Sequence, residues 1–451
     1  MGGLVRSIAD IVWGPQTLIV ILGAGLFLSL RLRFIQVRRL GLSFRLLGKK
    51  GYGEGDIPGT GDISPFQAFT TSLASVIGNG NIAGVCTAIA MGGPGAVFWM
   101  WLSAFLGMGI KMVETVLGQK FRKIMPDGTV AGGPMYYISE GLGLPAIAAA
   151  FAFFMGCKAL FSIPIVQSNS ITLVLDSQFG FPSWASGLGL AFLTWLVIIG
   201  GIKTIGRVTE FLSPFMVFVY IFGALFTIIA FADRLPHALS MIFVGAFNPS
   251  AVTGGAAGAT LARAVRYGMA RGTYSNEAGT GTAAVLHASA RTSEPARQGF
   301  LGSLDVFVDT IVVCSLTALA VICSGAWTHS TSTAMTAAAF NSSLPQAGGL
   351  IVAASSFLFG YSSLISVSYY GKIAFKYLLG NWINRPYDWI FCIFIYIGAV
   401  LQVEVAWSVG DMVNGLMIIT NLVGVLGLSA LAVTAVRSYV GKVGPGQKWG
   451  N

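Results

Sequence analysis

Four consecutive residues have types suited to holding a small charged ligand. They are Gly78, Asn79, Gly80 and Asn81, in the run ASVIGNGNIAG at 74–84. Glycine costs up to about 1 kcal/mol against alanine inside a helix. Two carboxamides add polar groups that lipid leaves unsatisfied. In the middle of an apolar stretch, the run reads as the deliberate interruption of a membrane helix. At such a break the amides opening the second half-helix face an anion, and the carbonyls ending the first hold a cation. The alternative is a packing face of small residues, which does not require Asn79 and Asn81.

A second interruption is expected if the chain is an inverted repeat. Five spans further on, TGGAAGA at 253–259 offers Gly254 and Gly255, and RGTYSNEAGTGT at 271–282 is the other candidate. Arg263, Arg266 and Arg271 favour the first, because they could snorkel from one half of the span. The SNEAG stretch then becomes a turn and helix start, with Ser275 as N-cap and Glu277 near that terminus.

These segments sit among elements that only a bilayer explains. The chain has 451 residues, 55% of them hydrophobic and 10% charged, with a mean hydropathy of +0.76. A soluble protein of this length needs far more charge on its surface. A net charge of +10 could point to nucleic acid, but the basic residues lie in short loops rather than on one patch. The cysteines (Cys86, Cys157, Cys314, Cys323, Cys392) lie in apolar segments without CxxC spacing, which suits packing better than disulfides or metal.

At about 20 apolar residues per span, eleven spans are expected: 11–31, 64–91, 94–118, 145–174, 184–202, 208–232, 249–272, 300–325, 347–371, 387–407 and 411–436. The first is read as retained rather than as a cleaved signal. Amphipathic stretches at 236–247 and 277–290 flank the seventh. The gap at 32–63 is read as a basic loop with an interfacial helix. Of the 27 Lys and Arg, twenty fall on one side of this scheme, against Arg6 and Arg234 on the other. That asymmetry puts the C-terminus in the cytoplasm and the N-terminus outside. The whole of 1–451 is one membrane domain.

Several polar residues lie within spans. Lys158 is a functional candidate by position, either replacing a cation or carrying a proton. The structural alternative pairs it with Glu114. Lys111 and Glu114, three apart, could instead pair with each other. Asp305 and Asp309 face the interior, for packing or gating. Trp99 and Trp101 suit an aromatic belt. His237, His287 and His329 are isolated. No HExxH, GxSxG or carboxylate pair appears, so no enzyme is expected. A channel would need polar residues along several spans, whereas here they gather at mid-depth.

At this point the chain resembles the alanine or glycine:cation symporters. The run GGPGAVFWMWLSAFLG at 92–107 matches that family's most characteristic motif. GNGNIAGV, DGTVAGGPMYYI (127–138), VQSNSI (166–171), RGTYSNEAGTG (271–281) and SYYGKIAFKYLLG (368–380) are also similar to its motifs, in the same order. The resemblance covers nearly the whole chain. It implies an all-α polytopic protein of about 11 membrane helices with a LeuT-type 5+5 inverted repeat. Spans 2–11 form the repeat, 64–232 and 249–436, and the N-terminal span 1–31 is extra.

The resemblance implies symport of a small neutral amino acid, alanine or glycine, with Na⁺ through alternating access in the cell inner membrane. Glutamine or H⁺ coupling are the alternatives. No cofactor is implied beyond Na⁺ as coupling ion, and no nucleic acid. It places the substrate carboxylate on the amides of Asn79 and Gly80, with Gly78 beside them and Asn81 completing a sodium or substrate contact. Gln167 and Asn169 fall on the pocket wall. A sodium site falls on carbonyls of Ala74, Ile77 and Phe359 and hydroxyls of Ser362 and Ser363, an all-oxygen set that suits a hard cation. The chain departs from the family pattern where Thr is usual at Asn79, Gly-Asn near Ile163 and Pro164, and Trp at Val367. Loss of an indole opens space and Ile163 fills it, so the pocket is reshaped.

Overall fold

The computed structural model describes residues 12–48, 60–126, 128–248, 261–328, 332–401 and 404–443. Nearly all of them are helical. In order, the helices are α1 (Pro15–Arg31), α2 (Leu40–Leu47), α3 (Pro65–Val76), α4 (Gly80–Gly92), α5 (Ala96–Lys120), α6 (Pro145–Asp176), α7 (Ser183–Ile198), α8 (Gly201–Ala230), α9 (Leu235–Phe247), α10 (Leu261–Asn276), α11 (Thr282–Ala288), α12 (Pro295–Ser324), α13 (Ser332–Ser343), α14 (Ala347–Leu379), α15 (Asn384–Val400), α16 (Glu404–Gly427) and α17 (Ser429–Lys442). A two-stranded antiparallel ribbon, β1 (Lys123–Ile124) and β2 (Val130–Ala131), follows α5.

Among the described residues, six helices are long and apolar enough to cross a membrane, or seven if the bent pair α3–α4 is one span. Apolar side chains cover much of the outer surface, Phe211, Phe218, Phe222 and Ile229 of α8 among them. Lipid rather than water is the medium such a surface matches. The stretch expected at 411–436 is divided, since α16 ends at Gly427 and α17 starts at Ser429. The loop helix at 32–63 is present as α2, which packs on the first half of α12.

The break between α3 and α4 is written into the local sequence. Ser64 caps α3 through a reciprocal pair with Gln67, and Pro65 fills the first turn, where no N–H is needed. The helix ends at Val76, Ile77 turns to extended backbone, and α4 resumes at 50° to α3 through a wide, π-type turn at Gly80–Gly84.

The second interruption among the described residues lies between α10 and α11. Glu277 takes φ 53°, and Gly279 and Gly281 take φ 92° and 79°, a region open to glycine and costly for other residues. A break therefore lies in the second candidate stretch. Gly254, Gly255 and the whole 249–260 segment lie outside the described residues. Ser275 is not an N-cap: it ends α10 and bonds to Asp309. The helix expected to be amphipathic at 277–290 is instead α11, buried at every position, because it is packed by α3, α5, α12 and α14.

One half-helix from each break, α3 and α11, meets the other at one end of the molecule. Ile63 bridges to Ala290, Arg291 N–H donates to Ile63 O at 2.8 Å, and Asp62 N–H donates to Ser289 O at 2.8 Å. The starts of α3 and the end of α11 are thus stitched together at the end that carries Arg122, Arg291 and Arg297.

Candidate functional site

The first break sits against α14 and α6. On α14, Ser356, Ser363 and Val367 recur at helical spacing and face one way, and all three are buried. Ser356 Oγ donates to Asn79 Oδ1 at 2.6 Å. Asn79 donates both its backbone N–H and its Nδ2 to Gln167 Oε1, at 3.3 and 2.9 Å. The residues expected at the pocket, Asn79 and Gln167, therefore touch. Gly78 lies between Gln167 and Ser363: a Cβ there would stand 2.7 Å from Gln167 Nε2 and 2.8 Å from Ser363 Oγ. Gly80 faces the ring of Tyr274, 3.6 Å from where its Cβ would be.

Asn81 explains how carbonyls come free. In an uninterrupted helix the Gly78 N–H would bond to Ala74 O. Here it donates to Asn81 Oδ1 at 2.9 Å, and Asn81 N–H bonds Gly78 O at 3.0 Å rather than Ile77 O. Ala74 O and Ile77 O are released and point at α14. Ser363 Oγ lies 3.2 Å from Ala74 O and 3.3 Å from Ile77 O. Ser362 Oγ lies 3.4 Å from Ala74 O and 3.0 Å from Phe359 O. All five expected oxygens converge. A hard cation takes oxygens at about 2.3–2.6 Å, so ligands at right angles around it stand about 3.3–3.7 Å apart. The observed spacings sit at or just below that range. The set holds no carboxylate, which suits a monovalent ion.

Not every expected residue faces this site. Asn169 donates to Gly398 O and Leu401 O at the end of α15, at 3.2 and 3.0 Å. It lies about 200° around the helix from Gln167, so the two cannot share a wall. Ile163 is one turn before Gln167 on the same face and is buried. Lys158 does not meet Glu114. Its ammonium donates to Glu277 Oε1 at 2.5 Å and to Asn414 Oδ1 at 2.9 Å, on a π-type turn that precedes Pro164. Nor do Lys111 and Glu114 bond to each other: Lys111 Nζ donates to Asn276 O at 2.8 Å, and Glu114 accepts from Asn421. A cation at the carbonyl end of α10 is electrostatically favourable.

Sequence reasoning set Asp309 in the interior but did not place it between the two breaks. Asp309 accepts from Asn81 Nδ2 at 2.6 Å, from Ser275 Oγ at 2.9 Å and from Thr310 Oγ1 at 2.7 Å. On the other side of Gly80, Tyr274 packs on Trp407, and Arg271 lies over both rings while pairing with Asp411 at 2.8 Å. Trp99 and Trp101, expected in an aromatic belt, are half-buried. Their indole N–H groups donate to Ala246 O and Ser315 Oγ inside the fold.

A family model described as the sodium:alanine symporter family matches residues 2–449. The sodium/alanine symporter AgcS of Methanococcus maripaludis is 42% identical, over 97% of this chain and 96% of its own. The probable sodium/glutamine symporter GlnT of Bacillus subtilis is 34% identical, over 95% and 89%. Among solved structures, the Eremococcus coleocola manganese transporter bound to an aromatic bis-isothiourea compound aligns over 88% of this chain and 93% of its own, with a TM-score of 0.51 at 14% identity. That likeness concerns the fold alone. With a family match along nearly its whole length, the chain belongs to the sodium:alanine symporter family.

Proposed function

We propose that the chain imports a small neutral amino acid, alanine or glycine, driven by a Na⁺ gradient. The observation that carries this is the convergence of Ala74 O, Ile77 O, Phe359 O, Ser362 Oγ and Ser363 Oγ beside the Asn79–Gly80 break. Na⁺ at these oxygens would tie the end of α3 to α14. The amino acid carboxylate then replaces Gln167 Oε1 on the Asn79 N–H. Rocking of one bundle against the other carries both across. The same reading takes the chain as eleven spans in a LeuT-type fold, with repeats at 64–232 and 249–436 and an extra first span. It sets the chain in the cell inner membrane, the N-terminus outside and the C-terminus in the cytoplasm.

Lys158 is held by Glu277 and Asn414 rather than at the cation oxygens, which favours Na⁺ over a lysine-borne charge at that position. A larger substrate such as glutamine is the second reading, favoured by the small side chain at Val367, where the family usually has an indole, and by the likeness to GlnT. The deciding experiment is uptake into proteoliposomes of labelled alanine, glycine and glutamine, under an inward Na⁺ gradient and separately an inward H⁺ gradient. Na⁺-driven alanine or glycine uptake supports the proposal. Uptake of glutamine alone, or driven by H⁺ alone, overturns its substrate or its ion.

A further inference from the structure

A second polar cluster lies at the basic end of the fold, apart from the site above. His287 on α11 has both ring nitrogens engaged. Nδ1 stands 2.6 Å from Gln298 Oε1 and Nε2 stands 3.2 Å from Asp305 Oδ2. Gln298 and Asp305, seven apart on α12, share a face. Ser72, on α3 two residues before Ala74, donates to Asp305 Oδ2 at 2.5 Å. All four residues are fully buried. Asp305 Oδ1 and Gln298 Nε2 have no hydrogen-bond partner.

A neutral imidazole has one N–H and one lone pair, whereas the protonated ring has two donors. As placed, the ring faces two oxygens, an arrangement only the imidazolium completes. Turning the Gln298 carboxamide over would bring its unpartnered Nε2 to Nδ1 and suit the neutral ring, with Nε2–H still donating to Asp305. Both ring nitrogens are therefore satisfied in two arrangements that differ by one proton and one amide orientation. The protonated one adds an imidazolium–carboxylate attraction in surroundings of low dielectric.

Other ionisable groups lie on the elements packed against α11. α3 supplies none, and α5 supplies Lys111, Glu114 and Lys120. Lys111 is held by Asn276 and Glu114 by Asn421. α12 supplies Arg297, Asp305, Asp309, Cys314 and Cys323, and α14 supplies Tyr361, Tyr369, Tyr370, Lys372, Lys376 and Tyr377. Arg122 donates to Ala290 O, beyond the end of α11. Asp305 Oδ2 stands 3.2 Å from the ring's Nε2.

We propose that His287, Asp305, Gln298 and Ser72 form a proton-binding site that latches α3 and α11 together through α12. The inference rests on the carrier reading, because what the latch restrains is the opening of the basic end. The protonated cluster favours the latched state, and the latch loosens when the ring gives up its proton.

Two measurements test it. In proteoliposomes with equal pH on both faces, Na⁺-driven alanine uptake should rise at least about fivefold between about pH 5 and 8. His287→Gln should flatten that profile, and Asp305→Asn should move it to lower pH, each leaving the Na⁺ requirement unchanged. A His287→Gln profile that matches the parent chain overturns the latch. No uptake at any pH would count against the carrier reading, and the second measurement still decides the site. With His237 and His329 replaced by Gln, ¹⁵N-histidine label reports His287 alone in a chain whose own cluster is intact. A doubly protonated ring at low pH that becomes a single neutral tautomer at high pH supports the proposal. A ring that keeps one protonation state throughout overturns it.

Discussion

Asn79 and Gln167 meet through one oxygen: Gln167 Oε1 accepts both the side-chain Nδ2 and the backbone N–H of Asn79, at 2.9 and 3.3 Å. The backbone N–H expected to receive a substrate carboxylate is thus already held by a neutral carbonyl oxygen of similar reach. Gln167→Glu puts a fixed carboxylate there. We expect the KM for amino acid to rise at least about tenfold, the scale of a hydrogen bond to a charged group at 1.5–3 kcal/mol, with the Na⁺ requirement little changed. An unaltered KM would remove Gln167 from the substrate pocket.

Ser363 Oγ touches two of the released carbonyls, while Ser362 Oγ touches one of these and its own helix. Ser363→Ala should therefore raise the Na⁺ concentration for half-maximal uptake by about tenfold, again on the scale of a charged hydrogen bond. The rank order of amino acids should stay the same. A uniform loss of rate at every Na⁺ concentration would argue against a cation at this place.

Lys158 and Glu277 expose 2% and 4% of their side chains and stand 2.5 Å apart. Removing one partner of a buried pair leaves an uncompensated charge and costs about 3–5 kcal/mol. Lys158→Met and Glu277→Gln should each lower the melting temperature of the detergent-solubilised chain sharply. The double variant should recover part of the loss. Additive losses in the double variant would show that the two charges do not depend on each other.

Val367 lies one turn from Ser363 on the same face of α14 and is fully buried. Val367→Trp should shift uptake toward the smallest amino acids, glycine above alanine and alanine above glutamine. If the variant folds, as judged by an unchanged elution volume, and keeps the parent's selectivity, Val367 is not part of the pocket.

The first break was legible because its cause is local: Gly78, Gly80 and the two asparagines carry it within four residues. The oxygen cluster was legible by resemblance, and its geometry then followed from Asn81 drawing the Gly78 N–H away from Ala74. The second break was harder to place. The stretch at 253–259 is denser in glycine, and the charge of Glu277 reads as a surface turn until its partner is known. That partner, Lys158, is 119 residues away, and no local pattern announces it. Asn169 was misjudged for a different reason. Two residues along a helix turn it to the opposite face, so nearness to Gln167 in sequence meant distance from the pocket. His287 looked isolated because Asp305 and Gln298 come from the next helix.

The bonds that complete the first broken helix come from far along the chain. Asn81 waits for Asp309, 228 residues later, and Asn79 for Ser356, 277 residues later. At about 5–20 residues per second of synthesis, the second interval lasts about 14–55 s. Throughout it, a helix already at the membrane carries carboxamides without their final partners. The protein's biogenesis must therefore shelter this segment, whether in the insertion machinery or against other helices, until α12 and α14 emerge. A ribosome stalled before Ser356 leaves a product with exposed polar groups in the bilayer, the kind of defect membrane quality control removes.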